Sequence, residues 1–137
     1  MLKRSSLINR SKPRLMKAFS SATVIHVSDF RSSLDYYTKI LGFTFDFEFG
    51  EYAGLFIDEV FIHINGSGNP GRKKPVGSAH LCIDIDHVDD YYQRLTTNGA
   101  IISVTLGDRV YGMRDFAVDD PDGNTLVFGQ AIAPSML

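Results

Sequence analysis

An Asp-Tyr-Tyr triplet at Asp35, Tyr36 and Tyr37 returns at Asp90, Tyr91 and Tyr92, and each copy sits in a helix-like segment that follows one strand pattern and precedes three. This repetition constrains the fold more than any other feature, because one such unit cannot bury its apolar face alone and two must share a core. In the first half, residues 23–28 alternate as a strand, with Thr23, Ile25 and Val27 on one face and Val24, His26 and Ser28 on the other. Asp29 or Ser32 can cap a helix whose buried stripe is Leu34, Tyr37 and Leu41, and Gly42 stops it. The following run places Phe43, Phe45, Phe47 and Phe49 on one face and Thr44, Asp46 and Glu48 on the other. Two further strands, at 53–57 and 60–64, turn at Asp58 and Glu59.

Glycine, proline and base dominate the linker at 66–78, where Arg72, Lys73 and Lys74 read as a solvated cluster. The pattern then restarts with a strand at 79–85 and a helix capped by Asp86, with Val88, Tyr91 or Tyr92, and Leu95 inward and Asn98 and Gly99 at its end. After a strand at 101–106, residues 111–130 form a hairpin. Asp120 accepts at the turn, Pro121 pre-sets φ and Gly123 takes the left-handed position.

The chain of 137 residues is thus expected to hold one domain at 21–131, with module one at about 21–65 and module two at 79–131, behind a basic extension at 1–20 expected to be flexible. Lys3, Arg4, Arg10, Lys12, Arg14 and Lys17 all precede the first acid, Asp29. That extension reads as a targeting segment, a basic arm or residues ahead of a second start at Met16. A net charge of −2 does not suggest a nucleic-acid binder, and no apolar run is long enough to span a membrane. The single cysteine, Cys82, excludes an internal disulfide and suits a reducing cytoplasm.

Four segments carry a resemblance to a known family: VSDFRSSLDYYTKILGF at 27–43, FIHI at 61–64, AHLCIDIDHVDDYYQRL at 79–95 and YGMRDFAVDDPDGNTLVFGQ at 111–130. Together they resemble the vicinal oxygen chelate superfamily of glyoxalases, extradiol dioxygenases and bleomycin-resistance proteins, and the last segment is most similar to the bleomycin-resistance branch. The resemblance implies an α+β fold of two βαβββ modules, curved mixed sheets around a cleft with helices outside, and a homodimer whose ligand grooves lie between subunits.

Metal enzymes of that superfamily carry a His early in the first strand, a His opening the fifth and a Glu on the eighth. These positions hold Ala22, His80 and Val127 here, and a further glyoxalase-type Glu would fall near Phe61. His26 lies four residues beyond the expected ligand position, roughly 13 Å along a strand. His87, at a helix start, reads as solvent-facing. No cofactor is therefore expected, the alternative being a divalent metal at His80 with unusual partners in a glyoxalase-, dioxygenase- or lyase-type enzyme. No catalytic residue is identified, and the balance is against an enzyme. The expected function is sequestration of a small molecule, such as a cationic aromatic drug, in a cleft lined by Asp46, Glu48, Phe61, His63, His80, Cys82, Tyr111, Met113 and Val127. Asp46 and Glu48 are the expected acidic wall. Tyr111 stands where the branch often has tryptophan, and Arg114 is expected to pair with an acid.

Overall fold

The computed structural model describes residues 15–133. Most of the predicted basic extension lies outside that range, and residues 15–21 are exposed without regular structure. The elements are β1 (Ala22–Val27), α1 (Phe30–Asp35), a π-helical turn (Tyr36–Ile40), β2 (Thr44–Glu48), β3 (Tyr52–Ile57), β4 (Val60–Gly66), β5 (His80–Asp84), α2 (Val88–Asn98), β6 (Ile101–Asp108), β7 (Met113–Asp119) and β8 (Thr125–Ala131). They form two four-stranded sheets, ordered β1-β4-β3-β2 and β5-β8-β7-β6. In each, the first strand runs parallel to the last and the other pairs are antiparallel. The repeat read from the sequence is therefore a repeat of topology, an α+β fold of two βαβββ modules.

Each sheet has a helix-side face and an open face. Alternation puts Ile25, Val27, Ile62 and Ile64 on the helix side of the first sheet, and Ile83, Phe116, Val118, Leu126 and Phe128 on that of the second, all buried. These residues join Leu34, Tyr37, Leu41, Val88 and Leu95 from the helices in one apolar cluster spanning both modules. Removing side chains of this size from water stabilises by about 1.5–3 kcal/mol each, which is why the helices must lie on this side.

Local chemistry sets the helix ends, partly against expectation. Asp29 caps α1, its carboxylate accepting from the Ser32 amide at 3.0 Å. The helix then widens, with the Leu41 amide donating to the Tyr36 carbonyl, so Tyr36 as well as Tyr37 is buried. Asp86 does not cap α2. His87 holds that position in a left-handed conformation, φ 51°, and the Gln130 side chain accepts from the Val88 amide instead. Asp58, at the β3–β4 turn, is the other non-glycine with positive φ among the described residues.

The β7–β8 turn joins the modules. Asp120 is buried and accepts from the Asp122 and Asn124 amides, the Asn124 side chain and, across the molecule, the Tyr37 hydroxyl at 2.9 Å. Tyr36 donates to the Asp119 carbonyl at 2.6 Å, and Tyr91 donates back to the Leu41 carbonyl at 2.7 Å. Asp122 accepts from both the amide and the hydroxyl of Ser28. The repeated tyrosines thus tie each half to the other.

Candidate functional site: the open faces of the two sheets

The register of β2 decides what the first open face presents. Phe45 pairs with Leu55 and Phe47 with Gly54, so the strand carries an extra residue, Asp46, between them. This bulge breaks the alternation expected for the phenylalanine run. Phe45 sides with Leu55 toward the helix, whereas Phe47 turns to the open face. Glu48 pairs with Ala53, sides with the helix and is held by Arg31 in an ion pair. The acidic wall expected from Asp46 and Glu48 is therefore not formed: one is the bulge residue and the other is committed elsewhere.

What the bulge supplies is an aromatic surface. The Phe47 ring lies over Gly54, where an added Cβ would come within 2.1 Å of it. It stacks on Tyr52 at 6.4 Å between centroids and meets the His63 ring edge-on at 5.3 Å. The Tyr52 hydroxyl lies within hydrogen-bond distance of Nδ1 of His63, at 2.7 Å, and this contact fixes the orientation of the imidazole. Partial burial raises the Tyr52 pKa above its ordinary value. Phe56 and Phe61 extend the surface, with centroids 6.2 Å apart. Phe47 remains 41 % exposed, so the ring is available for contact.

Beside the aromatics lies a polar pair, the Asn65 amide nitrogen 3.3 Å from Nδ1 of His26. Asn65 is buried and its Oδ1 has no partner. Burial, and then Lys73 and Lys74 nearby, lower the His26 pKa, so its ring favours the neutral form.

The second open face carries His80 and Cys82 of β5, both exposed, with Val127 opposite Cys82. Its far end is organised by Asp115, which is buried and accepts from Arg109 Nε at 2.7 Å and from the Tyr111 hydroxyl at 2.6 Å. These bonds raise the pKa values of Arg109 and Tyr111. The Tyr111 ring stays 65 % exposed with its hydroxyl anchored, and Met113 packs over Gly129. Arg114 points to the helix side and pairs with Asp89 and Asp108 at 2.7 and 3.1 Å.

The predicted residues are thus divided between two faces: Phe61 and His63 on one, His80, Cys82, Tyr111, Met113 and Val127 on the other. The faces approach at a cavity of about 300 Å³ between edge strands β1 and β5, lined by Val24, His26, Lys74 and His80 among others. Phe47, Tyr52, Asn65, Arg109 and Asp115 were missed by sequence reasoning. A glycine inside a strand, Gly54, was the available signal for a ring lying across the backbone.

The family's metal positions can be tested on this geometry. Ala22 and Phe61 are register partners, His80 faces Thr125, and Val127 faces Cys82. Three of these four positions lack a donor atom in the side chain, and among the described residues no group of three His, Cys, Asp or Glu side chains could hold a metal ion. The residues present do not fit the family's metal.

Residues 20–128 match the family model described as the glyoxalase/bleomycin resistance protein/dioxygenase superfamily. The chain belongs to this superfamily. Within the superfamily it falls with the bleomycin-resistance-like branch. It is 31 % identical over 127 residues to bleomycin resistance proteins of Geobacillus stearothermophilus and Staphylococcus aureus, covering 82 % of this chain and 96 % of each relative. Solved structures of the superfamily's fold agree. TioX from Micromonospora sp. ML1 matches with a TM-score of 0.72 at 20 % identity, covering 84 % of this chain and all of that one. A bleomycin-binding protein of Streptomyces verticillus, solved with copper(II)-bleomycin, matches at 0.68 and 20 % identity, covering 83 % of this chain and 97 % of that one.

Proposed function

We propose that the protein sequesters a planar, aromatic small molecule on its open sheet faces, without a metal and without altering the ligand chemically. The observation that carries this reading is the Phe47, Tyr52 and His63 surface, in which an oriented imidazole and two rings offer flat contact area and a polar handle. Relatives named bleomycin resistance proteins support a ligand of that kind, a cationic glycopeptide with planar rings being the first to try. Both open faces leave apolar groups exposed, Phe47 and Val24 on one and Val104 and Tyr111 on the other. A second copy would cover them, so the groove is proposed to be completed in a homodimer. The lone thiol Cys82, exposed on this face, would remain reduced in a cytoplasmic setting.

The test is titration calorimetry of the full chain, first with bleomycin-type glycopeptides and then with planar aromatic amines. At least one is expected to bind, and Phe47→Ala should weaken it tenfold or more. No heat from any of them would defeat the reading. So would stoichiometric zinc, nickel, manganese or iron in protein purified without chelator, which would favour an enzyme built around His80.

A further inference from the structure

One of the larger cavities among the described residues lies on neither open face. It has a volume of about 530 Å³ and sits at the junction of the modules, where the β3–β4 turn meets the end of β5 and the start of α2. That size is within the range of small-molecule sites. Its floor is apolar and comes from both halves: Phe43, Ile57 and Val60 from the first, Ile83, Tyr91 and Phe128 from the second. The Tyr91 ring is held in place by its hydroxyl bond to the Leu41 carbonyl. The mouth is of opposite character. Asp58, Glu59, Asp84, Asp86 and Asp90 line it and all five are exposed, against a single guanidinium, Arg94.

Little within the described residues offsets this charge. Among the described residues Asp86 and Asp90 form ion pairs only with His87, at 3.9 and 3.8 Å, and that ring is charged only when protonated. Asp58, Glu59 and Asp84 form no ion pair among the described residues. The carboxylates do not converge as a metal-binding group; they are spread around an apolar opening. A compact metal ion would satisfy few of them and leave the floor uncovered. A monovalent organic cation with an apolar body meets both demands, its charge in the field of the mouth and its body on the Phe43 and Tyr91 side of the cavity.

We infer that this junction cavity is a second ligand site, separate from the open faces, and that it takes arylammonium or alkylammonium compounds. Charge decides the ligand and the apolar floor decides its size.

The experiment is amide chemical-shift mapping of the full chain titrated with phenyltrimethylammonium and, separately, with tert-butylbenzene, which has the same shape without the charge. The cation should shift amides of residues 57–60 and 83–91 and saturate, with the neutral compound at least tenfold weaker. The triple variant Asp58→Asn, Glu59→Gln, Asp84→Asn should weaken the cation at least tenfold; asparagine tolerates the left-handed backbone at position 58, so the fold is kept. Phe47→Ala should leave this binding unchanged, which separates the site from the one proposed above. Equal binding of the neutral compound, shifts confined to Phe47, Tyr52 and His63, or no saturation by about 10 mM cation would each overturn the inference. A further outcome would overturn it too. If the cavity amides are protected from exchange without any probe, and lose that protection when Lys3, Arg4, Arg10, Lys12 and Arg14 are changed to Gln, the occupant is the chain's own basic segment.

Discussion

The Asp120 carboxylate accepts four hydrogen bonds in a residue that is 2 % exposed. Replacing it with alanine leaves two backbone amides and a buried phenol without an acceptor, each costing about 1–3 kcal/mol if water cannot replace it. Asp120→Ala is therefore expected to destabilise by about 3 kcal/mol or more in urea unfolding, and Tyr37→Phe by about 1–1.5 kcal/mol. The same buried phenols make stability depend on alkaline pH. Burial, and then the Asp120 carboxylate, hold the Tyr37 pKa well above its ordinary value, and burial raises that of Tyr91. The folded state keeps protons that the unfolded chain loses near pH 10, so this contribution is intact below about pH 10 and is lost as pH rises further. Urea midpoints should fall between pH 9 and about pH 11, and by less in Tyr37→Phe, which carries no proton to release. A flat profile for the unmodified chain would contradict this account.

At the level of elements, the bulge in β2 shows where sequence stops being informative. The alternation of Phe43 to Phe49 predicts one aromatic face, yet the extra residue Asp46 turns Phe47 away from Phe45. Nothing in the local sequence marks that insertion; it is fixed by pairing with β3, where Gly54 alone leaves room for the ring. Gly54→Ala is expected to push the Phe47 ring off its seat, costing about 1–2 kcal/mol in stability and changing the near-ultraviolet circular dichroism of the aromatics. Ligand affinity should fall with it. The strands, the repeat and the DPDGN turn were readable because period-2 alternation and turn chemistry are local properties. The cap of α2 was not, because Gln130 reaches the Val88 amide from the far end of the chain. Arg114 was legible only as a base seeking an acid; Asp89 and Asp108 could not be picked out from spacing.

For the molecule as a whole, the shared apolar cluster and the reciprocal tyrosine bonds predict one unfolding transition. Calorimetric and van't Hoff enthalpies should agree for the full chain, and two resolved transitions would mean that the modules fold independently. If the open faces pair in a dimer, sedimentation equilibrium should detect it, and Phe47→Arg or Val104→Arg should raise its dissociation constant at least tenfold, about 1.4 kcal/mol.

The crossing of the tyrosines has a consequence for how such a chain can be divided. Tyr37 finds its acceptor beyond the linker, in the β7–β8 turn, and Tyr91 finds its own before it, at Leu41. A half-length chain carrying one module would therefore hold a donor and an acceptor whose partners both lie in the missing half, and a second copy of the same module would supply neither. The two halves are alike in topology but not interchangeable.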